Sequence, residues 1–209
     1  MGDVWTWIAI DADTKLVVSY FLGGRDAGSA LEFMEDCASR IRGRVQLTTD
    51  GHKAYLQSVE YAFGVGLDFA ILQKLYGTPS VDEQWRYSPA KCIGTDIKVV
   101  CGDPDPNHIS TSYVERQNLT MRMQMRRFTR LTNGFSKKLE NHAHAVALHY
   151  MFYNFCRVHQ TLRVTPAMEA GITDRPWTID NMVALLPKPV VGPSRIDQEL
   201  FRKALGESA

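Results

Sequence analysis

Residues 4–11 are rich in aromatic and β-branched side chains and residues 16–22 form an apolar run, with the polar Asp13-Thr14-Lys15 as a tight turn between them. That pattern predicts a β-hairpin. Beyond Gly23-Gly24, the positions Ala27, Ala30, Leu31, Phe33, Met34, Cys37, Ala38 and Ile41 fall at helical spacing up to Gly43. A strand over Val45–Thr49, a helix over about residues 53–62 and a strand over 67–75 follow. The order β-β-α-β-α-β predicts a mixed α/β sheet, parallel in part because helices join its later strands.

Residues 76–109 break this rhythm with Gly, Pro and Asp clusters and read as an insertion carrying a small hairpin, 87–92 and 96–100, around Gly94. Ser110-Thr111-Ser112 then opens a long helix to about Leu131, and Ser136 opens another to about Val158. Within the second, Leu148, Met151, Phe152 and Phe155 form a stripe expected in the core. Thr165-Pro166 and Thr178-Ile179-Asp180 open two short helices, and prolines at 187, 189 and 193 mark a flexible tail. The expected organisation is one domain over 1–163, a helical extension over 164–186 and a tail over 187–209.

With 209 residues, 44% of them hydrophobic, the chain can bury a sizeable core in one domain. Its apolar runs fall far short of the roughly 20 residues that span a bilayer. The first ten residues lack the basic and apolar regions of a signal peptide, which places the protein in the cytoplasm without a membrane partner. The four cysteines are scattered with no Cys-x-x-Cys pair, as expected of reduced thiols in that compartment.

The net charge of +1 conceals an uneven distribution. Residues 1–115 hold 10 Lys+Arg against 16 Asp+Glu, whereas 116–163 hold 9 against 1. An acidic half followed by a basic helical stretch points to a carboxylate site beside a surface for a polyanion.

Metal-assisted phosphodiester cleavage requires carboxylates from distant segments to converge where cations clamp the attacking and leaving oxygens. Asp11 and Asp50 each end an apolar strand, where open α/β sheets place their sites. Glu115 lies in the first turn of the long basic helix and admits two readings. Ser112-x-x-Glu115 matches a capping box, in which the glutamate only satisfies backbone amides. Against that, Asn118, Arg122 and Arg126 fall within about 60° of Glu115 at 100° per residue, away from Val114, Met121, Met125 and Phe128. An acid followed by two arginines suits a metal ligand with phosphate-binding neighbours. Asp13 shares strand parity with Asp11 and is either a further ligand or a turn residue. His142, His144, His149 and His159 lack the i, i+4 geometry of a helical zinc pair.

Three segments together carry a resemblance: Ile8-Ala9-Ile10-Asp11, Thr48-Thr49-Asp50-Gly51-His52-Lys53-Ala54-Tyr55 and Thr111-Ser112-Tyr113-Val114-Glu115-Arg116-Gln117-Asn118. With the run 153–162 and Thr165-Pro166-Ala167, they occur in the order seen in DDE transposases, and most resemble the family of insertion sequence one. The resemblance covers roughly residues 3–186. It implies a ribonuclease-H-like mixed sheet flanked by helices, with the inserted hairpin and extra C-terminal helices. It makes Asp11, Asp50 and Glu115 the catalytic, metal-binding triad for Mg²⁺ or Mn²⁺. Arg122 becomes the basic residue near the DNA backbone, with Arg116, Asn118 and Arg126 as its DNA-binding neighbours. The implied reaction is DNA strand cleavage that frees a 3′-hydroxyl, followed by attack of that hydroxyl on target DNA. Its implied setting is a nucleoid-associated homo-oligomer holding transposon ends and target. The family also carries a zinc-binding element and a helix-turn-helix that read the element's ends. The present chain reads as starting at the first catalytic strand, so end recognition is not expected of it. The alternatives are a related ribonuclease-H-like nuclease and a non-catalytic DNA-binding remnant.

Overall fold

Strand β1 (Trp5–Ile10) pairs antiparallel with β2 (Val17–Gly23), Trp5 lying opposite Gly23 and Ile10 opposite Val17. Side chains on alternate faces enter two different cores: Trp7 packs with one, Ile8 and Val17 with the other. The computed structural model describes residues 4–77, 92–129, 133, 134 and 136–187. They fall into two units, Met1–Pro176 and Trp177–Ala209.

Helix α1 (Ala27–Arg40) starts at Asp26, whose carboxylate accepts the Ser29 N–H at 2.9 Å. It buries Ala30, Phe33, Met34 and Cys37, an i, i+3, i+4, i+7 stripe. Helix α2 (Ala54–Phe63) lies beside it and stops at Gly64, whose φ of 59° suits glycine. Beneath the two helices run β3 (Val45–Thr49) and β4 (Leu67–Tyr76), parallel, with Val45 opposite Leu67 and Thr49 opposite Ile71. Strand β5 (Cys92–Cys101) pairs antiparallel with the other side of β4. The result is an α/β fold with a mixed three-stranded sheet, β3-β4-β5, flanked by helices.

Two expectations change here. The strands do not join in a single ladder: β1-β2 is a separate ribbon, held to the mixed sheet through side chains, with Trp7, Phe33, Val59, Leu67 and Phe69 in one cluster. Local patterns predict strands and their helical crossovers, whereas pairing between β1 and β3 has no local signature. Gly94, expected at a hairpin tip, lies inside a ten-residue strand, because β4 pairs along the whole of β5 with Leu75 opposite Gly94. Residues 78–91 lie outside the described residues, and with them the other expected arm, 87–92, except Cys92, which begins β5.

Helix α3 (Ser112–Gln124) follows a short 3₁₀ turn, Pro106–His108. It ends well before Leu131, because Met125 leaves helical geometry (φ −107°, ψ 110°) and a second 3₁₀ turn, Arg126–Phe128, follows. That kink puts Met125 and Phe128 into the core with Ile8, Val17 and Met121. It also takes Arg126 off the helical face that carries Glu115.

Helix α4 (Leu139–Met151) continues into a π-helical turn, Phe152–Cys156. Its buried residues are Val146 and Tyr150, followed by Tyr153. The expected stripe is one face away, with Leu148 61% and Phe152 40% exposed. Both faces are apolar in sequence, and contact with the ribbon decides between them: the Tyr153 hydroxyl donates to Lys15 O at 3.1 Å. The Asn154 amide pairs with Val17 as a strand would, accepting from its N–H at 3.0 Å and donating to its C=O at 2.9 Å.

Helix α5 (Pro166–Glu169), capped by Thr165, completes the first unit. In the second unit, α6 (Ile179–Val183) begins with a reciprocal Thr178/Asn181 capping box. The expected tail beyond 187 lies outside the described residues. Among the described residues no helix is long and apolar enough to cross a membrane.

Candidate functional site

The parallel pair β3-β4 places two chain segments side by side at its carboxyl end. Asp50 directly follows β3, and Gln73 to Tyr76 close β4. Lys74 shares strand parity with Ala70 and Leu72, and Ile109 packs on those two. The chain then enters α3 a few residues after Ile109, which sets Glu115 above the end of β4. An open cavity of about 330 Å³ results, lined by Asp50, Gly51, His52, Lys74, Thr111 and Glu115, with Arg25, Leu72, Gln73 and Tyr76 around them.

Glu115 is not a cap. Thr111, not Ser112, precedes the helix, and the glutamate takes side-chain partners instead. Its Oε1 accepts the Thr111 hydroxyl at 2.8 Å, and its Oε2 pairs with Lys74 Nζ at 2.5 Å. The pair holds the Lys74 ammonium above its ordinary pKa. Asp50 accepts the His52 N–H at 3.0 Å. His52 stacks on Trp7 at 5.6 Å and accepts the Ala54 N–H at Nδ1, which puts the ring proton on Nε2, a buried atom without a hydrogen-bond partner among the described residues. Tyr55 packs edge-on to Trp7 and to His52, its hydroxyl pKa raised by burial and then by the Asp50 charge.

Asp11 does not line this cavity. Its carboxylate organises the β1-β2 turn, accepting from Asp13 N and Thr14 N, each at 3.3 Å, and from the Thr14 hydroxyl at 2.5 Å. Asp13 is an exposed turn residue on that loop. The structure therefore brings together two of the three triad candidates. Among the described residues no group of three or more His, Cys, Asp or Glu side chains converges. Mg²⁺ is commonly held by only one or two carboxylates, with water and phosphate oxygens completing the shell. The oxygen donors of Asp50 and Glu115 fit one such hard ion.

Of the basic candidates, Arg116 and Arg122 are exposed on α3, Asn118 is half-buried there, and Arg126 is exposed beyond the kink. The histidines are dispersed. His142 packs on Phe128 and His149 on Tyr150, burial lowering the pKa of each. His144 is exposed, and His159 bonds Thr161 at 2.9 Å.

Sequence reasoning overlooked Lys74, Arg25 and Thr111. Lys74 had one usable signal, its place at the end of the strand that pairs in parallel beside Asp50. No family model, no curated protein and no solved structure matches the chain.

Proposed function

We propose that the chain is the catalytic domain of a DNA transposase, built on a ribonuclease-H-like fold and performing metal-dependent strand cleavage and strand transfer. The observation that carries the reading is the meeting of Asp50 and Glu115 in one open cavity at the carboxyl end of a parallel strand pair. The exposed arginines of α3 support it by extending positive charge away from that cavity. DNA and further copies of the chain are the partners in this reading.

Asp50 and Glu115 would hold a Mg²⁺ or Mn²⁺ ion. When bound, such an ion lowers the pKa of water and stabilises negative charge developing on phosphorus. The remaining work falls to the chain's own groups. The Thr111 hydroxyl orients the Glu115 carboxylate through its Oε1 bond. Arg25 and Lys74, both on the cavity wall, offer positive charge to a phosphodiester. Water attacks phosphorus, the P–O3′ bond breaks, and a 3′-hydroxyl and a 5′-phosphate result. In strand transfer the freed 3′-hydroxyl takes the place of water.

A second reading, a DNA-binding remnant without catalysis, is favoured by Asp11, whose carboxylate is committed to a turn. A labelled duplex incubated with the protein and Mg²⁺ or Mn²⁺ separates these possibilities. Nicked and joined products that vanish in Asp50→Asn and in Glu115→Gln are expected. Nicking without joined product would instead identify a nuclease, and binding without nicking under either ion would identify the remnant.

A further inference from the structure

The cavity wall carries two acids, Asp50 and Glu115, and two bases, Arg25 and Lys74, so its formal charges cancel. One of the two carboxylates is already engaged by a cation of the chain itself: Lys74 Nζ sits 2.5 Å from Glu115 Oε2. Arg25 is oriented otherwise, its guanidinium lying 4.7 Å from the Trp5 ring centroid. A divalent ion entering alone would meet Lys74 on one of its ligands and would leave a neutral cavity with two surplus positive charges. An ion entering beside a nucleic-acid phosphate would not, because the phosphate gives Lys74 a new anionic partner. The Lys74 side chain is 28% exposed and has four rotatable methylenes, so it can change partners without moving β4.

We propose that Lys74 is an exchangeable counter-ion: it holds Glu115 until a divalent ion arrives with a phosphodiester, then moves its contact from Glu115 to that phosphate. The inference rests on the reading of Asp50 and Glu115 as ion ligands. Lys74 thereby couples ion binding to DNA binding and keeps the site from filling when no DNA is present.

The first test is Mn²⁺ titration by calorimetry without DNA. Lys74→Met should bind Mn²⁺ at least about fivefold more tightly than the parent, and Lys74→Arg should match the parent. The second uses salt dependence of duplex binding in EDTA, where no cleavage occurs. Glu115→Gln releases Lys74 and should steepen the slope by about one unit, and the double variant Glu115→Gln/Lys74→Met should return it to the parent value. The second test stands even if Lys74→Met fails to fold. Equal Mn²⁺ affinity in the parent and Lys74→Met, or equal slopes in Glu115→Gln and the double variant, overturns the exchange. If Asp50→Asn abolishes Mn²⁺ binding in that same experiment, the ligand reading survives and only the exchange falls. If neither the parent nor Lys74→Met binds Mn²⁺ at all, both fall together.

Discussion

The two ends of the β3-β4 pair use the same residue types in opposite ways. At the amino end, Arg44 grips both oxygens of Asp68 at 2.8 and 2.6 Å, and the Asp103 N–H adds a third bond at 2.7 Å. Gly102, at φ 74°, lies so close to Asp68 and Leu67 that a β-carbon has no room. All three of these Asp68 bonds come from a rigid fork or from backbone. At the carboxyl end, the Asp50 carboxylate accepts only from the His52 amide among the described residues, and the partners of Glu115 are a hydroxyl and a long ammonium side chain. Both ends gather carboxylates and cations. The carboxyl end leaves them beside an open cavity with partners that can exchange, which is what a binding site requires and a structural knot does not.

The largest expected effect exchanges the two aspartates. Asp50→Asn should lower metal-dependent nicking at least about a hundredfold while shifting stability by less than about 0.5 kcal/mol. Asp68→Asn should keep the nicking rate within about threefold of the parent, since it only loosens the closed end. Nicking assays and urea unfolding on both proteins measure this. A hundredfold loss in Asp68→Asn at full folding would erase the distinction.

Next in size is a pair of glycines. Gly102→Ala requires a side chain at positive φ against Leu67 O and the Asp68 Cα, both 2.9 Å from the new β-carbon, and should cost about 2 kcal/mol or more. Gly51→Ala meets the Gln73 side chain first, with Oε1 at 3.2 Å, and Gln73 is exposed and can turn away. Its cost should stay under about 0.5 kcal/mol. Equal destabilisation of the two variants would show that the carboxyl end is as tightly built as the amino end.

How far the site could be read in advance follows from how local each determinant is. Strand β3 and Asp50 were legible, because alternation and a strand-ending acid lie within a few residues of each other. Asp11 has the same local form, and the distinguishing signal lay just downstream: Thr14 supplies both an amide and a hydroxyl that fold back on its carboxylate. The capping-box reading of Glu115 failed by one residue, since Thr111 rather than Ser112 precedes α3. The Lys74-Glu115 pair joins positions 41 apart, which no periodicity encodes. The buried face of α4 likewise depended on Val17 and Lys15, more than a hundred residues upstream.

A smaller effect concerns acid. The Arg44 guanidinium, and after it the Asp103 amide, hold the Asp68 carboxyl down from its ordinary 3.8 to about 2. A depressed folded-state pKa stabilises the fold above the unfolded value. That contribution is whole above about pH 4, declines as the unfolded chain takes up the proton first, and is gone below about pH 2. Urea midpoints at pH 4, 3 and 2 should therefore fall less steeply in Asp68→Asn than in the parent. Parallel curves for the parent and Asp68→Asn would show that the closed end contributes nothing to acid sensitivity.

The smallest effect tests whether the open end continues along α3. Arg122 lies seven residues past Glu115, about two turns and roughly 10 Å along the helix on nearly the same side, and it is exposed. In the proposed function it touches phosphate, which orients the duplex without reading its sequence. Arg122→Ala should weaken binding to unrelated duplexes by similar factors and reduce the salt slope by about one unit. Arg44 is the matched control, an arginine of the same charge whose guanidinium is committed to Asp68. Arg44→Ala should leave the slope where it was. Fluorescence anisotropy titrations of two unrelated duplexes across a salt series read both variants. A loss confined to one duplex would make Arg122 a base-reading residue, and a slope change in Arg44→Ala as large as that in Arg122→Ala would mean that DNA approaches the closed end as readily as the open one.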